Sequence, residues 1–207
     1  HCSRSLAKVL RRETFQVTCN AAFTAVIEAC AGPRRDGGET WISDRIERSY
    51  VDLHHEGHAH SIECWHHGQL VGGLYGVGFD RVFCGESMFS RMPDASKVAL
   101  AWLVAALRMA GAELLDCQFM TPHLATMGAR EIDEAEYLDL LRDAQVSSDG
   151  AAAGLDAADG EALGLGDGAP AGFGLALPEG FAALLDAAEG LSSSPGNFIA
   201  QSFTQTS

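Results

Sequence analysis

Residues 113–119 read "ELLDCQF" and put a carboxylate where a strand would be expected to bury apolar side chains. Leu114, Leu115, Cys117 and Phe119 seek burial, yet Asp116 sits among them. A buried carboxylate without compensation costs several kcal/mol or takes up a proton. Side chains of a strand alternate between faces, so Asp116 and Gln118 are expected on one face and Cys117 on the other. A carboxylate beside an amide is either a satisfied polar bridge or the polar floor of an active site. Glu86, in "FCGESMFS", ends a second β-rich run. If neighbouring strands bring it near Asp116, two carboxylates and an amide surround one cleft. Two close carboxylates raise one another's pKa and help to bind a cation.

Two other clusters invite a chemical reading and fail on context. "LHHEGHAHSIECWHH" holds six histidines. His54 and His58 stand four apart, but Gly57 should end the helix between them, and His66 and His67 fall in a predicted turn. None has a partner at a familiar metal-ligand interval. "GGLYGVG" lies inside a strand pattern rather than between a strand and a helix, which excludes a dinucleotide fingerprint. Glycines there point to a bulge or to close approach of something else.

The elements that must hold these residues follow from pattern. "SRSLAKVLRR" is helical, "TFQVTC" is a short strand, and Asn20 is expected to cap a helix through "AAFTAVIEACAG". A further helix starts at a Ser43 or Asp44 cap and stops at Gly57. "HSIECW" and "LVGGLYGVGF" form a hairpin across "HHGQ", with "RVFCGESMF" following. "PDASKVALAWLVAALRMAGA", capped by Asp94 or Ser96, is apolar nearly all round and therefore buried. The strand with Asp116 follows it directly, so β-helix-β implies a covered α/β or α+β sheet. Asp133 with Glu136, and Ile132 with Tyr137, then mark the start of another helix.

Composition sets further bounds. No apolar run reaches the ~18 residues needed to span a bilayer, and no signal-peptide pattern opens the chain. The six cysteines are widely spaced, without a C-x-x-C pair, which fits reduced thiols in a cytoplasmic protein. The net charge of −14 is unevenly placed. Residues 1–130 carry 13 Lys/Arg and 14 Asp/Glu, whereas residues 131–207 carry one Arg and 14 acids. Arg4, Lys8, Arg11 and Arg12 form a basic face that suits either phosphates or solvent. Residues 146–176 are Ala/Gly/Asp-rich and are expected to be a flexible acidic insertion. Residues 177–207 are expected to supply a helix and tail that dock back.

Taken together, "LHHEGHAHSIECW", "LVGGLYGVGFDRVFCGESMFSRMPDASKVAL" and "LLDCQFMTPHLATMGAREI" resemble the bacterial leucyl/phenylalanyl-tRNA–protein transferases, in order from His1 to about Leu141. The resemblance implies an α+β, acetyltransferase-like (GNAT) catalytic domain over residues 1–145. It also implies transfer of Leu or Phe from charged tRNA onto proteins that begin with Arg or Lys, which marks them for degradation. By position, Asp116 polarises Gln118, whose side-chain carbonyl orients the attacking amine. Glu86 helps bind the cationic acceptor, and Trp41 stacks on the terminal adenosine of the tRNA. Leu74, Phe83, Leu100, Leu103 and Leu115 line the amino-acid pocket. The partners implied are Leu-tRNA, Phe-tRNA and Arg- or Lys-starting proteins, with no membrane, cofactor or metal, and the protein is expected to be a cytoplasmic monomer. Family members carry a small domain before the "HCSRS" motif, which this chain is expected to lack. The alternatives are an acyl-CoA N-acetyltransferase of similar fold, disfavoured because no R/Q-x-x-G-x-G/A loop precedes the helix at Ser96, and a catalytically impaired tRNA-binding remnant.

Overall fold

The computed structural model describes residues 3–32, 41–145 and 175–203. The insertion expected at 146–176 therefore lies, apart from Leu175 and Ala176, outside the described residues. In chain order the elements are α1 (Arg4–Arg12), β1 (Gln16–Cys19), α2 (Phe23–Ala31), α3 (Asp44–His55), β2 (Ala59–His66), β3 (Gln69–Phe79) and β4 (Val82–Ser90). They continue with α4 (Ala95–Met109), β5 (Leu114–Asp116), α5 (Pro122–Thr126), α6 (Glu134–Gln145), α7 (Leu177–Gly190) and α8 (Pro195–Ser202). The sheet runs β1-β2-β3-β4-β5. Its first three pairings are antiparallel and the last, β4 with β5, is parallel. A parallel neighbour demands a crossover, and α4 supplies it, as the β-helix-β reading requires.

Alternation along the strands divides the core between two faces. Ile62, Leu74 and Phe83 pack with α1, α4, α7 and α8, whereas Ala59 and Tyr75 pack with α2 and α3. The all-round apolar character of α4 has a direct cause: one side meets the sheet and the other meets α7. Trp102 and Phe181 lie 5.4 Å apart, centroid to centroid, across that helix pair. A Cβ on Gly180 would sit 2.8 Å from Ala110 Cβ, so glycine sets how closely α7 can approach. The C-terminal helix pair thus docks on the core, through apolar residues such as Leu177, Leu184 and Ile199. On α1, Leu6, Ala7 and Leu10 are buried and the four basic side chains face out. Among the described residues, no helix is long and apolar enough to cross a membrane.

One expected helix cap needs correction. Asn20 does not cap α2; Ala22 holds that position without a side-chain hydrogen bond. Asn20 instead adopts φ 56° and accepts the Ser61 N–H at 2.9 Å, and its amide meets His60 Nδ1 at 3.0 Å. The nearby strand β2 offers this polar side chain partners that compete with its own helix. Asp94 occupies the N-cap of α4 as expected, in a left-handed conformation and without a capping side-chain hydrogen bond, and its carboxylate pairs with Lys97 at 3.0 Å. The Ser43 cap of α3 and the Gly57 stop hold, with Ile46 N–H donating to Ser43 Oγ and Gly57 at φ 84°.

A second carboxylate, Glu63, is wholly buried where β1 meets β2. Thr18 and Ser61 hydroxyls each donate to it at 2.5 Å, and Trp65 Nε1 donates to Thr18 at 2.8 Å. Burial pushes its carboxyl above the usual range against the pull of those donors. A raised folded pKa contributes stability below the ordinary carboxylate range and loses it as pH rises through the folded value. Glu63→Gln removes that titration. Thermal midpoints measured from about pH 4 to about pH 8 are therefore expected to move in favour of the variant as pH rises. A difference independent of pH would show that burial does not govern this group.

Candidate functional site

Asp116 ends β5 opposite Cys84 of β4 in the parallel register. The strand stops there rather than running on, which corrects the expected alternation. Gln118 lies beyond the strand with φ 60° and is exposed. Asp116 Oδ1 accepts the Gln118 backbone N–H at 2.7 Å. This is an Asx-type turn, in which an aspartate side chain bonds the backbone two residues on. The pair is therefore linked through carboxylate and main chain, and the Gln118 side chain projects from a left-handed residue. Such a conformation costs a non-glycine residue about 1–2 kcal/mol, which the turn offsets.

The second carboxylate oxygen is engaged as well. Tyr137 of α6 donates its hydroxyl to Asp116 Oδ2 at 3.0 Å. Sequence reading placed Tyr137 only as an apolar partner of Ile132. The two residues are 21 apart, across a loop and α5, and no local spacing announces the contact. The start of α6 is as expected in one half: Glu136 N–H donates to Asp133 Oδ1 at 2.8 Å. The reciprocal half of the capping box is not made, since the Glu136 carboxylate pairs with Arg130 at 2.6 Å.

Asp116 and Gln118 line an open cleft of about 740 Å³ between β5 and the segment leading into α6. A smaller pocket of about 250 Å³ is lined chiefly by apolar residues, including Leu6, Leu100, Val104, Leu124 and Phe203. Leu115, Cys117, Gly128 and Ala129 belong to the walls of both. A polar, accessible carboxylate–amide pair thus stands beside an apolar slot, with Leu115, Cys117, Gly128 and Ala129 as their common wall.

The other expected site residues separate. Leu100 and Leu115 line the slot. Leu74, Phe83 and Leu103 are buried in the main core and line neither cavity. Trp41 is 47% exposed just before α3 and lines neither cavity. Glu86 is the extra residue of a β-bulge, where Tyr75 pairs with Ser87 and Gly76 with Gly85. It lines neither cavity; burial first, then the Glu86 carboxylate, push the phenol of Tyr50 on α3 up. Cys84 is the partner of Asp116 across the ladder; burial first, then Asp116 and Glu86, push its thiol up to about 11. Burial likewise pushes Cys19 and Cys64 up to about 12, so these thiols stay protonated and weakly nucleophilic at neutral pH. The five described cysteines form no disulfide; Cys2 lies outside the described residues.

Two of the histidines, His54 and His60, are taken up by packing. His54 stacks on Phe23 with centroids 4.3 Å apart, and its Nδ1 meets the Ala59 carbonyl at 2.8 Å. Burial pushes the His60 imidazole down to about 4, so it is neutral in the fold.

A family model described as leucyl/phenylalanyl-tRNA protein transferase matches residues 1–142. A leucyl/phenylalanyl-tRNA–protein transferase of Novosphingobium aromaticivorans is 66% identical over 215 residues, covering 100% of this chain and 81% of the relative. The Zymomonas mobilis protein of that name is 56% identical over 70% of this chain and 54% of its own length. That of Azotobacter vinelandii is 52% identical over 68% and 62%. Against these last two, the aligned part spans only about half to three-fifths of the relative. No comparison supports the acyl-CoA alternative. The chain belongs to the leucyl/phenylalanyl-tRNA–protein transferase family.

Proposed function

We propose that this chain moves leucine or phenylalanine from the 3′ end of a charged tRNA onto the N-terminus of proteins beginning with Arg or Lys, marking them for degradation. The observation that carries the reading is the accessible Asp116–Gln118 pair beside an apolar slot. The donor is an activated ester, so the protein's main task is to hold ester and amine together and to help remove a proton. The amine nitrogen attacks the ester carbonyl, the C–N bond forms, and the bond to the ribose oxygen breaks. One proton leaves the nitrogen and the ribose oxygen regains one as it departs. A free α-amine has a pKa of about 8, so modest assistance suffices. Gln118 presents its side-chain carbonyl to that amine, and Asp116 fixes the backbone from which it projects.

The donor side chain occupies the slot bounded by Leu100 and Leu115. Leu74, Phe83 and Leu103 act one layer behind, setting its depth through packing. Trp41 stacks on the terminal adenosine, which its exposure favours. Glu86 meets the cationic acceptor. Residues 1–145 act as the catalytic domain, an acetyltransferase-like sheet. Residues 146–176 are an insertion, and the expected tail after the helix of 177–207 is corrected by α8, so that the described part of this segment is the helix pair α7 and α8. The protein works as a cytoplasmic monomer.

Incubation with Leu-tRNA or Phe-tRNA and an Arg-starting peptide is expected to yield the extended peptide, with no product from acetyl-CoA. Tight tRNA binding without product would point to a remnant; acetylation would point to the other enzyme class. Trp41→Ala is expected to raise KM for charged tRNA roughly tenfold, the worth of one stacked base, with turnover at saturation retained.

A further inference from the structure

We infer that Tyr137 is a positioning residue for the transfer reaction, holding the Asp116 carboxylate so that its other oxygen locks the Gln118 turn. This rests on the function proposed above. The carboxylate has two oxygens and each has one donor: the Gln118 N–H at 2.7 Å on Oδ1 and the Tyr137 hydroxyl at 3.0 Å on Oδ2. The main-chain donor comes from the residue meant to meet the amine, whereas the hydroxyl comes from a different element. Without the hydroxyl, the carboxylate can rotate about χ2, a soft sp³–sp² torsion, and the Gln118 turn loses its fixed acceptor.

The helix that carries Tyr137 is itself clamped at both ends. At its start, Asp133 accepts the Glu136 N–H and, through its carbonyl, the Tyr137 N–H at 2.9 Å. At its end, Arg81 in the β3–β4 turn donates to the Ala144 carbonyl at 3.2 Å and also to the Asp143 carbonyl. A cation that satisfies the last carbonyls of a helix is favourable both as a hydrogen bond and against the helix dipole. Arg81 also pairs with Glu113, three residues before Asp116. The same arginine therefore ties α6 to the strand that bears the carboxylate, and the distance from Tyr137 to Asp116 is set from both sides.

Tyr137→Phe removes the hydroxyl and keeps the ring. A hydrogen bond to a charged group is expected to be felt as about a tenfold fall in kcat, with KM for charged tRNA and the thermal midpoint unchanged. In an Asp116→Asn background the same substitution is expected to add nothing, because the two act through one carboxylate. Wild-type kcat in Tyr137→Phe, or an undiminished tenfold loss in the Asp116→Asn background, would overturn the assignment. The unaltered chain is the control that separates this from the larger reading: if it forms no product from either charged tRNA, the transferase function itself fails, and the Tyr137 assignment with it.

Discussion

Asp116→Asn is expected to lower turnover in aminoacyl transfer by about a hundredfold, near the lower end of what positioned proton-transfer groups contribute. KM for the charged tRNA should stay within about twofold, because Asp116 makes no contribution to holding the donor in its slot. The substitution isolates charge from shape. Asparagine supports the same side-chain-to-backbone turn as aspartate, so Gln118 can keep φ near its present 60°. What is lost is the negative charge that the Gln118 N–H and the Tyr137 hydroxyl both face. Hydrogen bonds to an ionised acceptor are roughly twice as strong as neutral ones, so both donors are held less firmly. Single-turnover measurements with pre-bound charged tRNA separate this from slow release. Wild-type turnover in that assay would mean that the carboxylate serves the fold alone and that the tRNA's own hydroxyls carry the proton.

Much of this arrangement could be read from the chain, and what could not has physical reasons. Helix α4 was legible because an element apolar on every side must be covered on every side, and its partners are the sheet and α7. The hairpin and the strand after α4 were legible because turn residues and alternation are local signals. Asp116 was legible as an anomaly, a charge in an apolar run. Its true partners were not. One is a backbone N–H, invisible to any reasoning from side-chain types. The other is Tyr137, which depends on where α6 comes to rest. The length of β5 is not legible for a related reason: "LLDCQF" keeps strand-like residues past Asp116, but β4 pairs with it only as far as that residue. Past the last ladder partner, the aspartate's own turn governs the chain. Asn20 went the same way, its local capping preference overruled by Ser61 and His60 on a neighbouring strand. The expected pocket residues split because an apolar side chain looks the same in sequence whether it walls a slot, as Leu100 and Leu115 do, or lies in the core away from it, as Leu103 does.

Gly76→Ala is expected to cost about 3 kcal/mol, the upper end of overpacking penalties, and to lower the thermal midpoint by roughly 10 °C for a chain of this size. The glycine stands at the bulge where β3 passes β4. A Cβ there would fall far inside van der Waals contact of the Cys84 carbonyl oxygen and 2.5 Å from Phe83 Cε1. Neither neighbour can yield cheaply. The first is backbone in the sheet, and the second belongs to a ring with no exposed surface. Cys84 is also the residue paired with Asp116, so relief by shifting β4 carries the candidate site with it. Turnover should therefore fall along with stability, more steeply than the folded fraction alone explains. Gly85→Ala is the matched control, on β4 directly opposite Gly76: its new Cβ would meet the Asp116 carbonyl oxygen at 3.6 Å, an ordinary contact. That variant is expected to keep a midpoint within about 2 °C of the parent. Equal losses in the two variants would mean that the sheet tolerates no side chain anywhere near the bulge. Equal tolerance would mean that β4 can slide without disturbing Asp116, and the link between the bulge and the site would be withdrawn.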